Sequence, residues 1–277
     1  MGPLPSPWPH VPNFPHIGKR LLTIGAVTVA VVVGLPAGLL GGAAVSSAFG
    51  HDAAPGVPAA RRLRAAAAAL ARTTRASARA TLIAQARRRT IALYHRRDAH
   101  PYRRLGPLPY SYGTRPVFSV LATRGNWLKV SLPIRPNHSS AWIQRSHVDL
   151  VSTDYRVAVR LRAHRLLLWR GRRRVLDTAI AVGKALTPTP NGTYFIAYAL
   201  RTTDPGSFFG PYAFGLSAYS NVLTSFAGGD GEVGIHGTNE PWLLGQSVSH
   251  GCIRIRNSVI TRLAHLLPLG TPVQIQR

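Results

Sequence analysis

A single cysteine, Cys252, stands in a chain of 277 residues. No disulfide can form within the chain, and a zinc site built from several thiolates is excluded. Acidic residues are scarce as well: nine Asp and Glu, of which only Glu232 and Glu240 are glutamates, against 34 Lys and Arg. Among the basic residues only Lys19, Lys129 and Lys184 are lysines, the usage that GC-rich coding sequence tends to give, so codon choice accounts for part of the net charge of +25. That charge attracts polyanions such as acidic lipids, anionic wall polymers or nucleic acid, and by itself does not choose among them. Also missing are an internal repeat, a Gly-rich phosphate loop and an alternating strand–helix pattern. Hydrophobic residues make up 45% of the chain, ample for a packed core, so the chain is not disordered throughout.

Composition divides the chain into five stretches. Residues 1–20 form a Pro-rich tail, expected on the cytoplasmic side, ending in Lys19-Arg20. Residues 21–50 carry no charge, and their apolar part, LLTIGAVTVAVVVGL, then Pro36, then AGLLGGAAV, exceeds the roughly 18–20 residues that span a bilayer. This reads as a transmembrane anchor or a signal peptide, with Ser46-Ser47-Ala48 offering the small-x-small character of a cleavage site. Flanking charge leaves orientation open, because Arg61, Arg62 and Arg64 follow the span almost as closely as Lys19-Arg20 precede it. Residues 51–100 are an Ala/Arg-rich linker. Both residues favour helix, yet Leu63, Leu70, Leu82 and Ile83 make too sparse a stripe to bury much, so a solvated helical stalk is expected. The stalk lacks the aromatic interleaving and base-reading motifs of nucleic-acid binders, and no nucleic-acid partner is expected; anionic lipid or wall polymer is the alternative.

From residue 101 to 152 short alternating runs are separated by Gly, Pro and Asn. VFSVLA, WLKVSLPI and AWIQRSHVDLV read as strands of a small β-barrel-like module, with Trp127, Val130, Leu132 and Trp142 facing inward. Residues 153–277 are again rich in strands: YRVAVRL, LLLW, VLDTAIAVG and NGTYFIAYAL. One helix is expected from Ser258 to Leu267, with Val259, Ile260, Leu263, Leu266 and Leu267 on one face, and Pro268 and Gly270 stopping it. A strand from Pro272 to Gln276 closes a mostly β chain.

Chemistry concentrates in GIHGTNEPWLLGQSVSHGCIRIRN, from Gly234 to Asn257. A thiol becomes a good nucleophile when ionised, and a neighbouring imidazole can take its proton to give a thiolate–imidazolium pair. His236 and His250 lie near the sole cysteine. Gly251 lets the backbone turn tightly before Cys252, so that successive N–H groups can converge into an oxyanion hole, worth roughly 3–4 kcal/mol per donor in acyl transfer. Taken singly, each residue also has a plain structural use: His236 and His250 as loop histidines, Arg254 and Arg256 as surface arginines. Two histidines and one cysteine without a carboxylate at helpful spacing make a poor metal site, and neither metal nor cofactor is expected.

The order His236-Gly237-Thr238, then Ser249-His250-Gly251-Cys252-Ile253-Arg254, resembles the signature of the L,D-transpeptidase catalytic domain. The likeness runs from about Tyr155 to Arg277 and includes VAVGKALTPTPNGTYFI, similar to the family's Gly-to-Pro-Thr-Pro element. It implies a β-sandwich-like catalytic domain with one C-terminal helix, preceded here by the small β-module and the stalk. It also implies a reaction. Cys252 attacks the L-centre carbonyl of residue three in a peptidoglycan stem tetrapeptide, expels D-alanine, and passes the resulting thioester to an amine, giving a three-to-three cross-link. His236 is then the base, with the Gly237 carbonyl fixing its ring; the family often has Ser at that position. Gly251 and Cys252, with His250, supply amide hydrogens to the oxyanion, Ser249 and His250 support the loop, and Arg254 orients it or contacts stem carboxylates. Such an enzyme works in the bacterial cell envelope outside the cytoplasmic membrane and is acylated by carbapenems. An L,D-carboxypeptidase that hydrolyses the same thioester, and a non-catalytic wall-binding protein, are the competing expectations.

Overall fold

The computed structural model describes residues 80–109, 111–226 and 229–277, all within one compact unit. The expected tail, the export segment and most of the Ala/Arg stretch lie outside them. Among the described residues no helix is long and apolar enough to cross a membrane.

Two larger sheets organise the described residues. The first contains β1 (Thr81–Ala86), β4 (Val117–Arg124), β5 (Trp127–Ser131), β6 (Ser140–Gln144) and β7 (Val148–Thr153), while β2 (Ile91–Leu93) and β3 (Arg103–Leu105) form a separate ribbon. The strand order is β6-β5-β4-β1-β7, antiparallel throughout. No ladder joins β6 to β7, so this is an open sheet rather than a barrel. The ribbon's Ile91, Leu93 and Leu105 pack with Phe118, Leu128, Val130, Leu132 and Ile143 into its core.

β1 overturns part of the stalk expectation. Residues 80–100 hold strands, not helix, and the β-module begins some twenty residues earlier than its composition suggests. β1 is hydrogen-bonded on both edges, to β4 and β7, and Ile83, Ala84 and Ala86 are buried. Paired edges and burial outweigh the local helix preference of Ala and Arg. Trp127 and Trp142 are half-buried rather than inward, and Leu128 takes the core position beside Val130. The ring of Tyr94 meets Trp127 edge-on, and Arg97 covers Trp142.

The second sheet has eight strands in the order β10-β9-β8-β17-β12-β13-β14-β16. These are β8 (Tyr155–Arg160), β9 (Arg165–Arg170), β10 (Arg173–Ala179), β12 (Gly192–Arg201), β13 (Tyr212–Tyr219), β14 (Glu232–His236), β16 (Ile253–Arg254) and β17 (Pro272–Gln276). β11 (Val182–Gly183) and β15 (Ser247–Ser249) pair separately in parallel. The helix α1 (Asn257–Leu266) buries Ile260, Leu263 and Ala264 in the core with Val233, Ile235 and Phe214. β13 is buried at every position, as expected of a strand covered on both faces, and it therefore lacks the alternation that marks a half-exposed strand. Among the described residues the chain is mostly β with one α-helix near the C-terminus, as the sequence implies.

The first sheet also grips the segment that leads into β14. Asn137 exchanges two 2.8 Å hydrogen bonds with the Tyr219 backbone. The Arg135 guanidinium donates to the carbonyl oxygens of Ser220, Leu223 and Asp230 at 3.0, 2.9 and 2.7 Å.

Candidate active site

β14 lies next to the short edge strand β16, in parallel register: Ile235 pairs with Ile253 and His236 with Arg254. That register brings Cys252 beside Gly234, whose amide donates to Cys252 Sγ at 3.4 Å. Because strand side chains alternate, Val233 and Ile235 enter the core with α1, while Glu232, Gly234 and His236 share the opposite face. Cys252 and His236 thus occupy adjoining places on one face.

The His236 ring is fully buried. Its Nδ1 lies 2.6 Å from the Gly237 carbonyl oxygen, an acceptor only, so Nδ1 carries the hydrogen and Nε2 presents a lone pair. Nε2 is buried with no partner. Phe208 and Phe209 wall the ring at centroid distances of 5.6 and 4.9 Å. Gly237 has no room for a side chain: a Cβ would meet Asn257 Oδ1 and Gly210. Asn257 Oδ1 accepts the Thr238 amide at 2.8 Å.

The cysteine turn is braced from two sides. Ser249 Oγ donates to the Cys252 carbonyl at 2.6 Å and accepts the Gly251 amide at 3.1 Å. Thr187 and Thr189 hydroxyls donate to the carbonyls of Ser249 and Gly251 at 3.2 and 2.8 Å. Gly251 sits at φ +120°, a conformation that favours glycine. Its N–H is therefore committed to Ser249, whereas the amides of His250 and Cys252 make no hydrogen bond with the described residues. The His250 side chain is exposed, stacked on Phe226 at 4.8 Å and 3.4 Å from Lys184 Nζ.

Arg254 is 6% exposed. Its guanidinium pairs with Glu240 at 2.7 Å and lies 4.1 Å over the Phe208 ring. Its Nε is buried without a partner among the described residues.

Electrostatics set the resting protonation. Burial pushes the Cys252 thiol up; the Gly234 amide opposes this, the Glu232 charge adds to it, and Arg254 opposes it again. Burial pulls His236 down to about 4, against the raising effect of the Gly237 contact and with Arg254 lowering it further. Both shifts favour the uncharged forms of the pair. The reason is desolvation, which disfavours both charges.

Glu232 is the residue the sequence reading passed over. Burial pushes its carboxyl up to about 8, Tyr198 lowers it, and Asp230 raises it. The Tyr198 hydroxyl donates to Oε2 at 2.8 Å, while Oε1 is buried and unpartnered. Both glutamates of the chain thus lie at this site, Glu240 on Arg254 and Glu232 near the sulfur. Their rarity was the signal available in the sequence. Native interiors satisfy most polar atoms, so it matters that three of the four buried unpartnered side-chain atoms found among the described residues belong to Glu232, His236 and Arg254. No group of three metal-binding side chains occurs among the described residues.

A family model for the L,D-transpeptidase catalytic domain (YkuD) matches residues 154–275. The YkuD proteins of Bacillus licheniformis and Bacillus subtilis, which their names assign to the L,D-transpeptidases, are 41% and 39% identical over 121 and 129 residues. Those matches take in 44% and 47% of this chain and 65% and 70% of the relatives. An L,D-transpeptidase structure from Mycobacterium smegmatis aligns with 58% of this chain and 91% of its own at 16% identity, with a TM-score of 0.37.

Proposed function

The chain belongs to the L,D-transpeptidase catalytic-domain family, and on that premise we propose that it is a peptidoglycan L,D-transpeptidase with Cys252 as nucleophile and His236 as base. The observation that carries this reading is the state of His236: Nδ1 tied to the Gly237 carbonyl, Nε2 buried and unpartnered, on the strand face where Cys252 sits. A neutral imidazole with one nitrogen fixed and the other free is what a general base for a thiol requires.

The geometry supports the following course. As Sγ attacks the L-centre carbonyl of stem residue three, its proton passes to His236 Nε2, and the Gly237 carbonyl supports the imidazolium through Nδ1–H. The oxyanion receives the amide hydrogens of Cys252 and His250, each such donor being worth roughly 3–4 kcal/mol. Gly251, its own amide held by Ser249, shapes the turn instead. Collapse of the intermediate breaks the C–N bond, His236 protonates the departing D-alanine, and a thioester remains on Cys252. An amine from a second stem then attacks the thioester, and sulfur leaves as the thiol. Arg254 acts as a positioning residue, locking β16 to Glu240 and Phe208. The place of work is the cell envelope, with peptidoglycan stems as partners and the N-terminal 21–50 segment as the membrane attachment or export signal; the basic surface suits anionic wall polymers.

Intact-mass spectrometry after incubation with a carbapenem tests the nucleophile. A covalent adduct on the wild type and none on Cys252→Ala is expected. An adduct surviving in the alanine variant sinks the assignment. Product analysis with a tetrapeptide stem separates transfer from hydrolysis.

A further inference from the structure

β14 carries a second titratable group on the face that carries His236. Glu232, Gly234 and His236 follow one another at two-residue spacing, and successive members of such a row stand roughly 7 Å apart. Gly234, in the middle, has no side chain, and the Cys252 sulfur lies against its amide. Along the strand, the thiol is flanked by an imidazole on one side and a carboxyl on the other.

The carboxyl is built in. Tyr198 on β12 reaches across β13 to hydrogen-bond Oε2, and it can do so because Gly215 beneath it bears no side chain: an added Cβ there would overlap the Tyr198 ring. Oε1 is sealed and without a partner. The titratable groups that act on Glu232 or feel its charge are Tyr198 from β12, Tyr219 from β13, Asp230 from the segment before β14, and Cys252. Arg135, which anchors that segment, spends its hydrogen bonds on carbonyl oxygens.

This inference rests on the transpeptidase reading and deepens its second half. The acceptor must attack as a neutral amine, yet an alkyl amine in neutral water is an ammonium ion. We propose that Glu232 receives that ammonium beside the thioester, pairing with it as a carboxylate and taking one of its protons. The freed amine attacks the thioester carbon; the C–N bond forms and the C–S bond breaks. Of the ammonium's three protons one rests on Glu232, one passes through His236 to the leaving sulfur, and one stays on the new amide. His236 alone is poorly matched to the first of these transfers, since burial holds it down at about 4. The carboxyl, pushed up to about 8, is far closer to an amine, and closely matched donors and acceptors transfer protons best. The proton that burial favours on Glu232 is displaced by the arriving cation.

The test compares wild type with Glu232→Gln on a disaccharide tetrapeptide serving as donor and acceptor, with cross-linked and hydrolysed products counted separately. The ratio of cross-link to hydrolysis at pH 7 is expected to fall at least about tenfold in the variant. The deficit should shrink as pH rises toward the amine's own pKa, where solution supplies neutral acceptor. Tyr198→Phe, which keeps the carboxyl and removes its donor, should lower the same ratio by roughly fivefold, the worth of one hydrogen bond. A carbapenem adduct on Cys252 reports that each variant is folded. If acyl-enzyme forms normally while ratio and pH profile match wild type in both variants, the role of Glu232 is refuted and the transpeptidase reading stands. Absence of any acyl-enzyme in the wild type overturns both.

Discussion

Replacing Glu232 by Gln should stabilise the protein at alkaline pH. A carboxyl raised from 4.5 to about 8 in the folded chain binds its proton more tightly there than in the unfolded chain. Its contribution to stability is therefore fully present below pH 4.5 and is lost as pH rises through about 8. The whole span corresponds to about 5 kcal/mol; with one face of the residue near solvent, about 2–3 kcal/mol is the working expectation. Glutamine keeps the shape and an acceptor for Tyr198, so the variant should lack this loss. Urea unfolding followed by tryptophan fluorescence at pH 5.5 and 8.5 measures it. Wild type should lose about 1.5–2 kcal/mol more than Glu232→Gln between these two values, since about a quarter of the span lies below pH 5.5. Curves that move in parallel, within about 0.5 kcal/mol, would refute the claim that burial keeps this carboxyl protonated.

The imidazole gives the opposite slope. His236, held at about 4 against an ordinary 6.5, contributes stability that is complete above pH 6.5 and is lost as pH falls through 4; its replacement by Gln should flatten that acid limb by about 3 kcal/mol in the same unfolding assay. Thr189→Val removes the hydroxyl bridging the Gly183 amide and the Gly251 carbonyl, with an expected loss of about 1–3 kcal/mol in thermal melting and slower carbapenem acylation. Gly215→Ala forces Tyr198 off Glu232 and should lower stability by about 1–3 kcal/mol, read as a drop in Tm. Arg135→Ala frees three carbonyl oxygens of the segment between β13 and β14; limited proteolysis should then cut between residues 220 and 231 sooner than in wild type, and unchanged cutting would deny the first sheet its hold on that segment.

Local features of the sequence specified a good deal. Strand runs such as YRVAVRL and PVQIQ announce themselves by alternation, the C-terminal helix by its apolar face and its Pro268–Gly270 stop, and the Cys252–His236 candidates by a motif whose glycines have a steric purpose. Other features depend on partners distant in the chain. Residues 81–86 look helical and become a central strand because β4 and β7 pair with both of their edges. β13 hides its strand character because both of its faces are covered. Thr187 and Thr189 acquire their purpose only when they meet carbonyls 62 positions away. The same holds for ionisation: residue type named a thiol, an imidazole and a carboxyl, but desolvation in the folded chain pushes the thiol and the carboxyl up and the imidazole down. Spacing along the chain can say which groups are available; how much water each one loses depends on the packing of the whole.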